Sequence, residues 1–192
     1  DHLLDPSDLI ALFSDGVDDD GNGYTDDICG WDFFGADNDP TADRTDEYGT
    51  HATGVMRVAA AEGGDEHGGI GVCPNCAILP VRLSDTILSD GVRVAQGIGF
   101  ATDHGAAAIS LAHGALSNAQ LTEQVIRYAW DQGTLVLGVS GDFNSYHNFY
   151  PAMSNGALYL RSSRSNTGDE DTAYSYFNSW NCNNFGPRLD LI

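Results

Sequence analysis

Residues 107–139, AAISLAHGALSNAQLTEQVIRYAWDQGTLVLGV, hold the pattern that decides the fold. Ala107 to Ala112 and Leu135 to Val139 are short apolar runs of strand length. Ala119 to Gln132 between them has helical spacing, and Gly133 stops it. On the N-terminal side, Gly91 to His104 reads as a helix with Ser89 or Asp90 as N-cap and Gly105 just past its end, preceded by a strand at Ala77 to Leu83. On the C-terminal side, Ala157 to Arg161 reads as a fourth strand. Alternating strands and helices with short connections predict right-handed crossovers and a parallel sheet covered on both faces. The expected class is therefore α/β, three-layer, with a central mostly parallel sheet flanked by helices. Ligands in such sheets gather at the carboxyl ends of the strands. Those ends are Ser84-Asp85, Ala112-His113-Gly114 and Gly141-Asp142.

The chain has 28 acidic residues against 8 basic ones, and every basic residue is an arginine. A net charge of −20 excludes nucleic acid and anionic membrane as partners. No apolar run is long enough for membrane insertion. Fourteen of the 23 aspartates lie within the first 46 residues, a cluster that repels itself unless cations sit in it. Asp1 in place of a methionine predicts a processed or excised piece, so a missing export signal says little.

Within that cluster, Asp18, Asp20, Asn22, the Tyr24 carbonyl and Asp26 place oxygens at every second position around glycines. The spacing matches the first nine positions of an EF-hand-type calcium loop. The twelfth position is Cys29 rather than a bidentate glutamate, and no flanking helices are evident, so the expectation is a calcium loop outside an EF-hand. Asp37 and Asp39, in Asp37-Asn38-Asp39-Pro40-Thr41, supply either a second hard-oxygen site or an Asx-turn-rich loop.

Four cysteines, Cys29, Cys73, Cys76 and Cys182, permit two disulfides in an oxidising compartment. Cys73-Pro74-Asn75-Cys76 precedes a strand, which argues against a thioredoxin-type redox motif. A zinc site needs two further ligands from Cys29, Cys182 or His67. A local disulfide between Cys73 and Cys76 is the preferred reading.

Tyr48-Gly49-Thr50-His51-Ala52-Thr53-Gly54 puts a histidine on the first turn of a helix over residues 51–61, packed through Ala52, Val55 and Ala59. An imidazole there suits a general base, although an isolated histidine caps or packs more often than it catalyses.

Taken together, several segments resemble the subtilisin-like serine proteases, the subtilases. They are Asp18 to Phe33 (DDDGNGYTDDICGWDF), Gly49-Thr50-His51-Ala52-Thr53-Gly54, Gly69 to Arg82 (GIGVCPNCAILPVR), and Ala129 to Val136 through Tyr150-Pro151-Ala152. Phe177-Asn178-Ser179 and Gly186 to Leu191 also fit. The resemblance implies that His51 is the general base of an Asp/His/Ser triad. It implies that Leu111, Ala112, His113 and Gly114 form the strand edge that pairs with a polypeptide substrate. The loop ending at Asp142 would carry the oxyanion donor, and structural calcium would rigidify the Asp-rich loops.

On this reading residues 1–192 form one incomplete domain: Asp-rich calcium-type loops over 1–48, an α/β core over 49–165 and a polar loop region over 166–192. The family's aspartate turn is expected just before residue 1. Its serine motif, Gly-Thr-Ser-x-Ala-x-Pro, is expected beyond Ile192, so this piece alone is expected to be inactive. Asp142 stands where the family has an asparagine whose amide stabilises the oxyanion, and losing such a donor costs about 10²–10³ in turnover, a magnitude established on subtilisin itself. A protonated Asp142 or a shifted Asn144 would restore a donor. Ala112-His113-Gly114 replaces the usual Ser-x-Gly.

The expected function is an extracellular, calcium-stabilised serine endopeptidase. The alternative is a pseudoprotease, a subtilase scaffold kept to bind a protein partner or to serve a structural role. A calcium-dependent adhesion or dockerin-like module suits the Asp-rich loop but not the absence of a repeat.

Overall fold

The computed structural model describes residues 6–42, 48–64, 68–86, 88–115, 120–141, 150–160 and 190. Its elements run α1 (Pro6–Phe13), β1 (Trp31–Asp32), α2 (His51–Ala60), β2 (Val81–Arg82), β3 (Leu88–Ser89), α3 (Gly91–Asp103), β4 (Ala108–Leu111), β5 (Gly114–Ala115), α4 (Gln120–Gln132), β6 (Leu135–Val139) and β7 (Ala157–Leu160). The chain forms two compact units, Asp1–Ile87 and Leu88–Ile192. Among the described residues the strands pair with one another in parallel, as β1–β2, β3–β5 and β4–β6–β7, and Asp32 makes one isolated antiparallel bridge to Asp37.

The second unit follows its sequence pattern closely. Asp90 has extended backbone and its carboxylate accepts from the Val92 and Arg93 amides at 2.9 and 3.0 Å, so α3 starts on a true N-cap. Both helices end on a left-handed glycine, Gly105 at φ +74° and Gly133 at φ +86°. Each is followed by an amide reaching back five residues, Ala106 to the Ala101 carbonyl at 3.0 Å and Thr134 to the Ala129 carbonyl at 2.8 Å. These closures satisfy carbonyls at the helix ends and feed the chain directly into β4 and β6.

The core of this unit comes from one stripe of each helix, Val94, Ala95, Ile98 and Ala101 on α3 and Ile126 and Ala129 on α4. Val136 and Tyr159 complete it from the sheet. Two buried threonines tie the layers: Thr122 Oγ1 donates to the Gly91 carbonyl at 2.8 Å, and Thr134 Oγ1 to the Ala106 carbonyl at 2.7 Å. Gly138 sits where Ala152 closes on the strand; a Cβ there would lie 2.4 Å from the Ala152 Cβ.

The first unit departs further from expectation. The strand expected over Ala77 to Leu83 is only Val81–Arg82, because the β1 ladder engages no earlier than Pro80, whose carbonyl accepts from Trp31 N at 3.3 Å. The helix at His51 forms as expected, but Ala52 is exposed and Val55 and Ala59 are half-buried. Its cover within the unit is a strap along its C-terminal half, where the Gly71, Val72 and Cys73 amides bond the Ala61, Val58 and Ala59 carbonyls at 2.9, 3.0 and 2.8 Å. The helix α1 was not foreseen; it opens on a proline at its first position, a preferred place for that residue.

Candidate active site

His51 opens α2 directly after the Tyr48-Gly49-Thr50 turn, and its amide donates to the Tyr48 carbonyl at 2.9 Å. Thr50 at the N-cap makes no side-chain cap, and His51 itself is exposed. The geometry presents the imidazole at the solvent-exposed head of the helix.

The Asp-rich loop is organised by its own carboxylates. Asp18 Oδ1 accepts from the Gly21 and Asn22 amides at 2.9 and 3.1 Å, and its Oδ2 from the Gly23 amide at 2.8 Å. Asp26 closes the loop, accepting from the Asp15 and Gly16 amides, both at 2.9 Å. Asp20 accepts from the Asn22 amide and from Asn22 Nδ2, each at 3.1 Å, and Asn22 Oδ1 accepts from the Tyr24 amide at 2.7 Å. Asp27, outside the expected ligand set, accepts from Asn22 Nδ2 at 2.9 Å. The Tyr24 ring packs on Trp31 and Phe33 at 5.1 and 5.5 Å between centroids, anchoring the loop to β1. The donor set is entirely hard oxygen; Asp18 Oδ1 is taken up by two amides, but Asp18 Oδ2 and the Asp20 and Asp26 oxygens each hold one donor and keep a lone pair for a cation, so these residues fit calcium chemically.

Asp37 and Asp39 lie beside this loop. Asp37 Oδ1 and Asp39 Oδ1 each accept from the amide two residues on, at 3.0 Å, which is the Asx-turn geometry. Asn38 Nδ2 donates to Ser14 Oγ at 2.9 Å and to the Asp26 carbonyl at 3.0 Å, joining the two runs.

Sequence reasoning missed the ion cluster beneath them. Asp32 is 1% exposed and its Oδ2 lies 2.6 Å from Arg82 Nη1, while Arg82 Nη2 bonds Asp85. Asp32 Oδ1 also accepts from the Phe34 and Gly35 amides at 2.7 and 2.9 Å. Burial alone would lower the Arg82 guanidinium pKa; the bonds and charges of Asp32 and Asp85 overcome that and hold it above the ordinary value. The only advance signal was the Asp and Arg in the two segments that carry the family resemblance.

Cys73 and Cys76 are joined by a disulfide with a Cα–Cα distance of 5.4 Å, so this pair offers no thiolates to zinc. Cys29 is buried, with Sγ 3.6 Å from the Pro6 carbonyl, and desolvation pushes its thiol up.

In the second unit Leu111 is the buried last residue of β4, across from Gly138. Ala112 and His113 link it to Gly114 in β5, which pairs with Leu88. The expected substrate edge is thus two short strands with a connection, and the His113 ring nitrogens lie out of solvent contact. The β6 strand leads into Ser140 and Gly141, the latter at φ +76°. Asp142, Asn144, His67, Cys182 and the polar loop region apart from Asp190 lie outside the described residues.

Parallel strands flanked by helices define a protein of the three-layer α/β class. Residues 10–184 match the family model described as "Subtilase family", and the chain belongs to that family. It is 34% identical over 153 residues to thermitase from Thermoactinomyces vulgaris, covering 79% of this chain and 52% of thermitase. A thermophilic serine proteinase from Bacillus sp. strain AK1 is 31% identical over 169 residues, covering 86% of this chain and 39% of that protein. Among solved structures, sphericase superposes with a TM-score of 0.57 at 25% identity, over 67% of this chain and 43% of that one. The prenylagaramide maturation protease shares the fold with a TM-score of 0.60 at 19% identity, over 75% of this chain and 50% of its own. This chain thus spans about half the length of these relatives or less. No helix among the described residues is long and apolar enough to cross a membrane.

Proposed function

We propose that this chain is the histidine-bearing part of an extracellular, calcium-stabilised serine endopeptidase. The observation that carries the reading is an exposed His51, at the first turn of α2 behind Gly49-Thr50, in a chain matched to the subtilases over residues 10–184. In this role His51 takes a proton from a serine hydroxyl and returns it to the leaving amine, while an aspartate orients the ring. The motif Gly-Thr-Ser-x-Ala-x-Pro does not occur among these 192 residues, so the proposal concerns a protein of the relatives' length. Leu111, Ala112, His113 and Gly114 would bind the substrate backbone by strand addition. Asp18, Asp20, Asn22, the Tyr24 carbonyl and Asp26, with Asp37 and Asp39, would hold calcium.

A second reading, an inactive subtilase scaffold that binds a protein partner, is favoured by two positions. By the resemblance, Asp142 would put a carboxylate where oxyanion charge develops, and Ala112 would replace a serine in the expected substrate-binding stretch. Hydrolysis of a chromogenic peptide by the full-length product separates the two. The endopeptidase reading predicts turnover that His51→Ala lowers by about four orders of magnitude or more, the scale recorded for triad members in subtilisin, a relative of this chain. No turnover by a full-length product that carries the serine motif supports the inactive scaffold instead.

A further inference from the structure

Tyr159 is the side chain that reaches from the core to the start of the loop read above as oxyanion-binding. It lies on β7 directly across from Gly138 and is 3% exposed. Its hydroxyl donates to the Ser140 carbonyl oxygen at 3.2 Å, two residues past its own register partner, and Ser140 is 2% exposed. The Tyr159 backbone is clamped from a distant segment: its amide donates to Asp190 Oδ2 at 2.7 Å, and the Asp190 amide donates to the Tyr159 carbonyl at 2.9 Å. The ring cannot slide along the strand without breaking those two bonds.

Ser140 is the last residue before Gly141, whose positive φ turns the chain out of the sheet. The peptide between them is planar, so holding its carbonyl also fixes the direction of the Gly141 N–H. We infer that Tyr159 is a positioning residue whose hydroxyl sets the Ser140–Gly141 peptide where the chain leaves β6. An apolar side chain at this place would fill the core equally well. A buried hydroxyl is retained at a cost unless it has a bond to make, and this one is spent on the carbonyl nearest the loop. The inference rests on the endopeptidase reading of that loop, and its test is built to fail separately from it.

Tyr159→Phe keeps the ring and removes only the donor. In this chain, amide exchange across residues 138–142 should accelerate by about tenfold, the scale of one neutral hydrogen bond, while α3 and β4 keep their protection. Unchanged exchange at 138–142 overturns the inference; so does an equal acceleration in α3 and β4, which marks a loss of core packing only. In the full-length protein, phosphonylation of the serine by a fluorophosphonate should slow by about tenfold, with KM for a peptide within about twofold of wild type. Equal phosphonylation rates overturn the inference. A wild-type protein that is not phosphonylated refutes the endopeptidase reading instead, and the exchange measurement still decides what the Tyr159 hydroxyl holds.

Discussion

Replacing Asp32 by alanine strands a guanidinium that the fold has drawn away from water. Arg82 is 19% exposed at its side chain and loses the 2.6 Å contact with Asp32, keeping the more exposed Asp85 and the Phe34 ring 5.4 Å from its guanidinium carbon. Breaking a buried pair from one side costs about 3–5 kcal/mol. The remaining partner and the exposure of Phe34 and Gly35, whose amides can turn to water, put the expected loss near the lower end, about 3 kcal/mol. Asp32→Asn keeps an acceptor for those two amides and loses the charge, so about 2 kcal/mol is expected. The informative quantity is the coupling in a cycle with Arg82→Met. The double variant removes both charges and should recover about 1.5–3 kcal/mol relative to the sum of the singles. Urea unfolding followed at Trp31, beside Asp32 and half-buried against Tyr24, reports this unit once Trp130 and Trp180 are changed to phenylalanine. Asp32 and Arg82 are register partners on β1 and β2, and a coupling within about 0.5 kcal/mol of zero would refute the reasoning that their ion pair helps hold the two strands together.

Gly138→Ala forces a Cβ to within 2.4 Å of the Ala152 Cβ and 2.6 Å of its Cα, so thermal unfolding should show a loss of about 1–3 kcal/mol. An unchanged unfolding temperature would mean that Ala152 yields freely. Calcium should raise the unfolding temperature of the wild-type chain, and Asp18→Ala combined with Asp26→Ala should abolish that response; a response that survives both changes places the ion elsewhere. Burial raises the Cys29 thiol, so the folded state keeps its proton when the unfolded chain loses it. The first unit should therefore lose stability as pH rises past about 8.5, and Cys29→Ala should flatten that decline in urea titrations followed at Trp31. The same slope in wild type and variant would remove Cys29 as its source.

How far the sequence carried depends on how local each determinant is. The α3 cap at Asp90 and the stops at Gly105 and Gly133 are decided within one helical turn, and those elements appear within a residue or two of expectation. The spacing of Asp18, Asp20, Asn22 and Asp26 was equally visible, because a loop that accepts its own amides is specified by neighbours. Apolar runs were less informative. Residues 77–80 look like strand, but their partner strand begins only at Trp31, so the ladder starts at Val81 with the Pro80 carbonyl accepting from the Trp31 amide. Apolar small residues on α2 implied packing through Ala52, yet Ala52 is exposed and, among the described residues, the strap bonds to the Val58, Ala59 and Ala61 carbonyls. Least legible were the long-range bonds. Asp32 and Arg82 are 50 positions apart, and Tyr159 and Ser140 are 19 apart, with no periodicity to link them. The resemblance singled out His51 and the stretch after Gly141 from the sequence alone, but the bond from Tyr159 to Ser140 joins partners that the pattern does not name.

The most direct test is a fluorophosphonate reaction with the full-length protein, the adduct mapped by mass spectrometry in wild type and in His51→Ala. The account predicts a single modified serine in a Gly-Thr-Ser context, with the modification lost or slowed by at least about a thousandfold in His51→Ala. Equal labelling of the two proteins, or no labelling of a wild type that carries that serine, would contradict the assignment of His51 as the general base.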